Sequence, residues 1–184
     1  MRKLFYLMLV VFAIAGCSGK NRVLTLYEYN TYAKSSTMNK SVYIADIRDE
    51  RARPDIVATV KDRAGSVDEY VILNQSLTSW FRDALVKELA ANGISVDNYA
   101  EDIVVNIAIK EFSGNLQGYA KDNMQARASV TLEILEGRKT TTKQVSQNQS
   151  EFAVIHNGTA FEPFMQNLLK DVVAKTAREI SNAI

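Results

Sequence analysis

Two stretches in the second half of the sequence alternate apolar and polar residues almost without interruption. In IVVNIAIKEF, residues 103–112, Ile103, Val105, Ile107 and Ile109 share one face, and Asn106 and Lys110 fall on the other. In residues 125–135, Ala126, Ala128, Val130, Leu132 and Ile134 point one way, and Arg127, Ser129, Thr131 and Glu133 the other. A period of two describes a strand with one buried and one wet face. Such strands build antiparallel sheets covered on a single side. Ser113-Gly114-Asn115 predicts a turn after the first stretch, and Glu136-Gly137-Arg138 a hairpin onto a long polar strand over residues 139–155.

The buried face needs a cover, and two segments have helical spacing. Leu77, Trp80, Phe81, Ala84, Leu85 and Leu89 recur on one face, with Glu88 its one polar member. Asn74 or Ser76 caps the start of this helix, and Gly93 ends it. Phe161, Phe164, Met165, Leu168, Val172, Thr176 and Ile180 form a second stripe near the C-terminus. Thr159 and Glu162 have capping-box spacing there, whereas Pro163 suits the first helical position if Glu162 is the cap. Upstream, VLTLYEY (residues 23–29) and SVYIADI (residues 41–47) read as strands. Residues 56–60 and 70–73 read as a short hairpin around Asp62-Arg63-Ala64-Gly65. The fold class that follows is α+β, an antiparallel twisted sheet with two amphipathic helices packed on one face.

The first 16 residues do not belong to that domain. Arg2 and Lys3 precede an apolar run over residues 4–14, and Ile14, Ala15 and Gly16 lead into Cys17, the only cysteine. The pattern is a secretory signal with its cleavage site. With the cysteine placed directly after it, Ile14-Ala15-Gly16-Cys17 resembles the lipobox of bacterial lipoproteins. That resemblance implies cleavage between Gly16 and Cys17, a diacylglycerol on the Cys17 thiol and an acyl chain on its new amine. The apolar run falls well short of the roughly 20 residues a membrane-crossing helix needs. The expected organisation is a signal peptide at 1–16, a lipidated N-terminus and short tether at 17–22, and a single periplasmic domain at 23–184. Taking residues 1–16 from 184 leaves 168, enough for one core without cross-links.

Cleavage removes Arg2 and Lys3, which takes Lys+Arg from 22 to 20 against 21 Asp+Glu. A chain with no basic excess has no electrostatic footprint for phosphate backbones, so nucleic acid is not an expected partner. Polybasic attraction to a bilayer is absent too, which leaves anchoring to covalent lipid.

Candidate catalytic groups are few. His156, the only histidine, stands in a loop beside Asn157-Gly158 and reads as a plain loop residue. One histidine and no free thiol leave no ordinary zinc ligand set, and neither metal nor cofactor is expected. Asp46, Asp49, Glu50 and Asp55 cluster, as do Asp68-Glu69 and Glu101-Asp102, and paired carboxylates can act as acid and base on a glycan. Arg48, Arg51 and Arg53 are interleaved with the first cluster, however, and RDERARPD (residues 48–55) reads as a solvated loop of surface ion pairs. Tyr27, Tyr29, Tyr32 and Tyr43 crowd the region near the anchor, as ordinary strand packing ahead of an interfacial belt or a docking surface. The Asn-x-Ser/Thr triplets at Asn39, Asn74, Asn148 and Asn157 are chance matches in a bacterial lipoprotein.

The order of these elements resembles the YajG family of bacterial lipoproteins. The likeness is carried by SVYIADIRDER (residues 41–51), SLTSWFRDALVKELAANGISV (76–96), IVVNIAIKEFSGNLQGY (103–119) and FMQNLLKDVVAKTAREI (164–180). It implies a periplasm-facing lipoprotein with no established enzymatic activity. The arrangement is also similar to envelope transport and assembly lipoproteins, such as the one that plugs the lipopolysaccharide translocon. Ser18 stands where, in enteric-type sorting, an aspartate would favour the inner membrane, so the resemblance points to the periplasmic face of the outer membrane. The expected function is a non-enzymatic binding or assembly accessory whose partner is another envelope protein, contacted by the wet sheet face or residues 48–55. The alternative is a lipid or lipopolysaccharide transport accessory. A third reading, an envelope hydrolase, would have to use Asp46, Asp49 and His156.

Overall fold

Helix α1, Leu77–Ala91, begins and ends on local chemistry. Ser76 is its cap: the backbone there is extended and the hydroxyl accepts the Ser79 N–H at 3.2 Å. Beyond Asn92, Gly93 takes a φ of +77°, the left-handed geometry that releases the last turn. Its buried face is Leu77, Trp80, Phe81, Ala84, Leu85, Glu88 and Leu89. The acid in that row is satisfied, because Glu88 accepts the Tyr29 hydroxyl at 2.6 Å. In the computed structural model, residues 20–31, 40–99 and 102–184 are described. The signal segment, Ile14, Ala15, Gly16 and Cys17 lie outside the described residues, as do Tyr32, Asn39 and Glu101.

Helix α2, Phe161–Ala183, follows a 3-10 turn at Gly158–Ala160. Neither Thr159 nor Glu162 caps it. Asn157 caps the turn instead, its side chain accepting the Thr159 N–H at 2.9 Å, and the chain runs through Ala160 into the helix. All seven residues of the expected stripe are buried, joined by Leu169, Val173 and Ala177. Thr176 is wholly inaccessible and its hydroxyl has no hydrogen-bond partner. Thr176→Val removes an unsatisfied polar atom at nearly constant volume. It should raise stability by about 1 kcal/mol, read as an upward shift of the denaturant midpoint at unchanged m-value.

The two helices contact each other and lie on the same side of one eight-stranded sheet. The strands are β1 (Lys20–Leu24), β2 (Lys40–Asp49), β3 (Ile56–Lys61), β4 (Val67–Leu73), β5 (Ile94–Val96), β6 (Ile103–Gln117), β7 (Met124–Glu136) and β8 (Lys139–Glu151). The expected antiparallel sheet is corrected to a mixed one. β6–β7–β8 form an antiparallel meander and β3–β4 a hairpin, but β1–β4, β2–β5, β2–β6 and β3–β6 are parallel. Alternation reports which face of a strand is wet; it carries nothing about the direction of the neighbour. Parallel pairs need a crossover, and the segment through β3, β4 and α1 supplies it between β2 and β6.

Three further expectations move. The first strand is Lys20–Leu24 rather than residues 23–29, so it begins inside the expected tether. After Leu24 the chain leaves the sheet and buries Leu26 and Tyr29. There the Tyr27 carbonyl accepts the Trp80 indole N–H at 2.8 Å, and the Tyr27 N–H donates to the Gln166 amide oxygen at 3.1 Å, in place of ladder bonds. Ser113-Gly114-Asn115 is not a turn, for β6 runs straight through it. Gly114 is there for space: a Cβ on it would stand 2.7 Å from the Phe161 ring and 3.0 Å from Ala58 Cβ. The reversal comes between β6 and β7, where Gly118 and Asp122 take positive φ. Finally β8 stops at Glu151, and residues 152–157 cross the end of the sheet.

Candidate functional site

The chemistry of the domain gathers where the sheet is interrupted. β2 follows β6 in parallel as far as the pair Asp49–Ile109, and the Glu50 N–H still reaches the Ile109 carbonyl at 2.9 Å. The chain then leaves that edge, with Pro54 in the excursion, and rejoins it as β3 at the pair Ala58–Gly114. Residues 110–113 of the central strand therefore have no strand beside them on this edge.

Arg51 fills the break. Its side chain is only 5% exposed, and its partners are Asp49 and Pro54 nearby in the sequence and Phe112 on β6. Nε donates to Asp49 Oδ1 at 2.8 Å and Nη2 to Asp49 Oδ2 at 2.7 Å, a two-point ion pair. Nη2 also donates to the Pro54 carbonyl at 2.7 Å, and Nη1 to the Phe112 carbonyl of β6 at 3.3 Å. The guanidinium also lies 5.9 Å from the Phe112 ring centroid. A planar cation with five donors thus replaces the missing strand and shapes an open cleft of about 340 Å³, lined by Arg51, Arg53, Val57, Lys110, Phe112 and Gly114 among others.

At the margin of the cleft and beyond it the remaining charges form exposed ion pairs. Arg48 lies between Asp46 and Glu50 at 3.4 and 3.5 Å, Lys110 pairs with Glu50, and Arg53 faces Asp55 at 3.8 Å. Arg51 is the correction: its pair with Asp49 is structural and largely enclosed, not part of a solvated loop. Burial, the largest influence on Asp49, raises its pKa. The hydrogen bonds and charge of Arg51 together outweigh it, and the carboxyl sits below the ordinary aspartate range. The hydrogen bond and charge of Lys110, with Arg48, lower Glu50 against a smaller opposing effect of burial. Both shifts run away from a general acid, which must keep its proton near neutral pH.

The sign of the Asp49 shift sets a pH dependence. A carboxyl with a depressed folded pKa contributes stability that is present above its unfolded value, 3.8, and lost as pH falls through the folded one. Thermal scans should show the melting temperature falling as pH drops from about 5 towards 3. Asp49→Asn should flatten that slope while lowering stability at pH 7; an unchanged slope would remove Asp49 from the account.

The other candidates are scattered. His156 Nε2 lies 3.0 Å from the Lys61 carbonyl and its ring rests on Tyr119, with centroids 4.8 Å apart. It lines a different cleft, with Arg22, Asp68 and Glu69, so Asp46, Asp49 and His156 are not brought together as a hydrolase would need. Glu69 is a clamp, accepting the Gly158 N–H at 2.7 Å and the Arg22 Nε–H at 3.3 Å. The tyrosines divide as well. Tyr29 is buried edge-on to Trp80, Tyr27 is 61% exposed and Tyr43 is half-buried, so they form no single belt. Among the described residues no group of three or more His, Cys, Asp or Glu could hold a metal ion, and no helix is long and apolar enough to cross a membrane. Sequence reasoning missed Arg51 as an organising residue. The one available signal was a proline three positions after an arginine, where strand alternation lapses.

These features define a domain class: one mixed sheet covered on one side by two helices, with an interrupted edge beside its central strand. No protein-family model matches the sequence, and no curated protein does. The fold is shared with a Xanthomonas campestris protein assigned to the family model DUF330, whose crystal structure aligns over 86% of this chain and 92% of its own with a TM-score of 0.57 at 13% identity. A second crystal structure, of a protein described only as uncharacterized, aligns over 86% and 99% with a TM-score of 0.56, also at 13% identity. A minor lipoprotein from Acinetobacter baumannii aligns over 75% and 93%, but its TM-score of 0.44 at 16% identity carries no argument.

Proposed function

We propose that this protein is a periplasm-facing envelope lipoprotein of YajG type, anchored through Cys17 in the outer membrane, that works by binding another envelope protein and performs no catalysis. The observation that carries the binding reading is the cleft at the sheet break. Arg51 is held by four hydrogen bonds from Nε, Nη1 and Nη2, so the walls are set before a partner arrives and little ordering is left to lose. Arg53 and Lys110 at its margin, each already paired with a carboxylate of its own, and half-buried Ile56 in its wall suit a polypeptide that presents polar groups around an apolar side chain. Nothing in this reading requires a cofactor or a metal.

A photo-crosslinking residue at position 53 of the intact lipoprotein should give one recurrent adduct in whole envelopes. The same residue at position 142, on the wet sheet face, should not. A protein that returns without adducts from position 53 argues against the reading. The anchor has its own test. Cys17→Ser should abolish labelling by radioactive palmitate and release the protein from the membrane fraction, and unchanged labelling would end the lipoprotein assignment. The lipid-carrier alternative needs a groove between helices and sheet. Phe81, Leu85, Phe161, Leu168 and Val172 pack that interval with almost no accessible surface, which supports binding over carriage. Uptake of a fluorescent fatty acid by delipidated protein would reverse that preference.

A further inference from the structure

Five of the eight exposed large apolar side chains among the described residues stand at one end of the sheet. They are Val67, Tyr119, Phe152, Val154 and Ile155; Val154 is 79% exposed and Ile155 58%. The pairing register shows that the end is common to all of them. Lys20 pairs with Glu69, Glu69 with Val60, Val60 with Leu116, Leu116 with Met124, and Met124 with Glu151. Beyond this row lie the start of β4, the turns at 62–66 and 118–123, and the segment after β8. The last of these runs back across the end towards β1. His156 Nε2 meets the Lys61 carbonyl at 3.0 Å, and the Gly158 N–H reaches Glu69 at 2.7 Å. It is locked there, since a Cβ on Gly158 would stand 2.8 Å from Arg22 Cβ.

The same end is where the chain comes from Cys17. Lys20 opens β1 only three residues after that cysteine, and three residues span at most about 10 Å. We infer that the rim carrying Tyr119, Phe152, Val154 and Ile155 is seated in the headgroup and upper acyl region of the bilayer that holds the lipidated Cys17. The inference rests on the reading of Cys17 as the anchor. So short a tether keeps this end, and no other, against the lipid. Apolar side chains facing water elsewhere would be a liability, but here they gain by leaving it. Lys20, Lys61, Arg63 and Lys121 are matched by Asp62, Asp68, Asp122 and Glu151, so the attraction is apolar rather than coulombic. Docking is therefore indifferent to anionic lipid. It also fixes the orientation of the domain, with the far end, at the Gly137 turn, pointing into the periplasm.

The test uses the full lipidated protein carrying Val154→Cys, the only free thiol once Cys17 is acylated, labelled with an environment-sensitive fluorophore. In vesicles of phosphatidylcholine alone the emission should be blue-shifted, and lipids with a nitroxide near the headgroup should quench most of it. Adding phosphatidylglycerol should change neither result. The same probe at Thr142→Cys should stay aqueous and unquenched. Mass measurement of the mature N-terminus separates the two readings. Acyl chains present with an aqueous probe at 154 overturn this inference alone, whereas an unacylated Cys17 overturns the anchor and this inference together. A probe that is aqueous in vesicles but shielded in native envelopes means that a protein covers the rim, and overturns the inference as well.

Discussion

Asp49→Ala is expected to destabilise the protein by about 3–5 kcal/mol, and Arg51→Met by less, about 2 kcal/mol, although each breaks the same ion pair. The asymmetry lies in the charge left behind. Without Asp49, a permanently cationic guanidinium remains at 5% exposure with only the Pro54 and Phe112 carbonyls to hold it. Without Arg51, Asp49 is 19% exposed and water can solvate it, while the methionine refills part of the apolar space beside Phe112. The double variant should cost less than the sum of the two, because the second substitution removes the charge that the first stranded. Urea unfolding of the four proteins at pH 7 gives the cycle directly. Equal costs, or strict additivity, would mean that the pair is a surface decoration and that the cleft walls are held by something else.

Phe161→Ala is expected to cost about 3–5 kcal/mol, as large as any single core truncation in the chain. The ring is wholly buried at the start of α2 and approaches β6 so closely that a Cβ at position 114 would stand 2.7 Å from it. Gly114→Ala, in consequence, should cost about 1–3 kcal/mol by overpacking against both the ring and Ala58, neither of which has room to yield. Combining Gly114→Ala with Phe161→Leu tests the contact itself. A smaller side chain makes room for the new methyl, so the pair should be less damaging than the sum of the single changes. Additive effects would show that Gly114 matters for strand flexibility and not for the close approach. The contact also bears on the site, since Gly114 is where β3 rejoins β6 after the break.

Legibility followed the range of the interactions. The buried face of α1 is the set its spacing picked out, including polar Glu88, because helical periodicity is a local property. The inward residues of β7, Ala126, Ala128, Val130, Leu132 and Ile134, are all buried for the same reason. Ser113-Gly114-Asn115 misled because a glycine between polar residues has the composition of a turn, while the cause of this glycine is a ring 47 positions later in the chain. Residues 25–30 misled in the opposite sense. Their strand-like composition is overridden by Trp80 and Gln166, which satisfy the Tyr27 backbone away from any ladder. In residues 48–55 the composition reported charge correctly and burial wrongly at Arg51 alone, because the enclosure of that side chain depends on a gap beside Phe112, 61 positions further along the chain.

From the chain alone came the helices, the wet and dry faces of the long strands and the pairing of charges around Arg48. Each follows from periodicity or from groups a few bonds apart. Strand direction, the break filled by Arg51 and the gathering of Val154, Ile155 and Tyr119 beside the start of β1 were decided only in three dimensions. They depend on which backbone edges meet, and sequence distance places no limit on that.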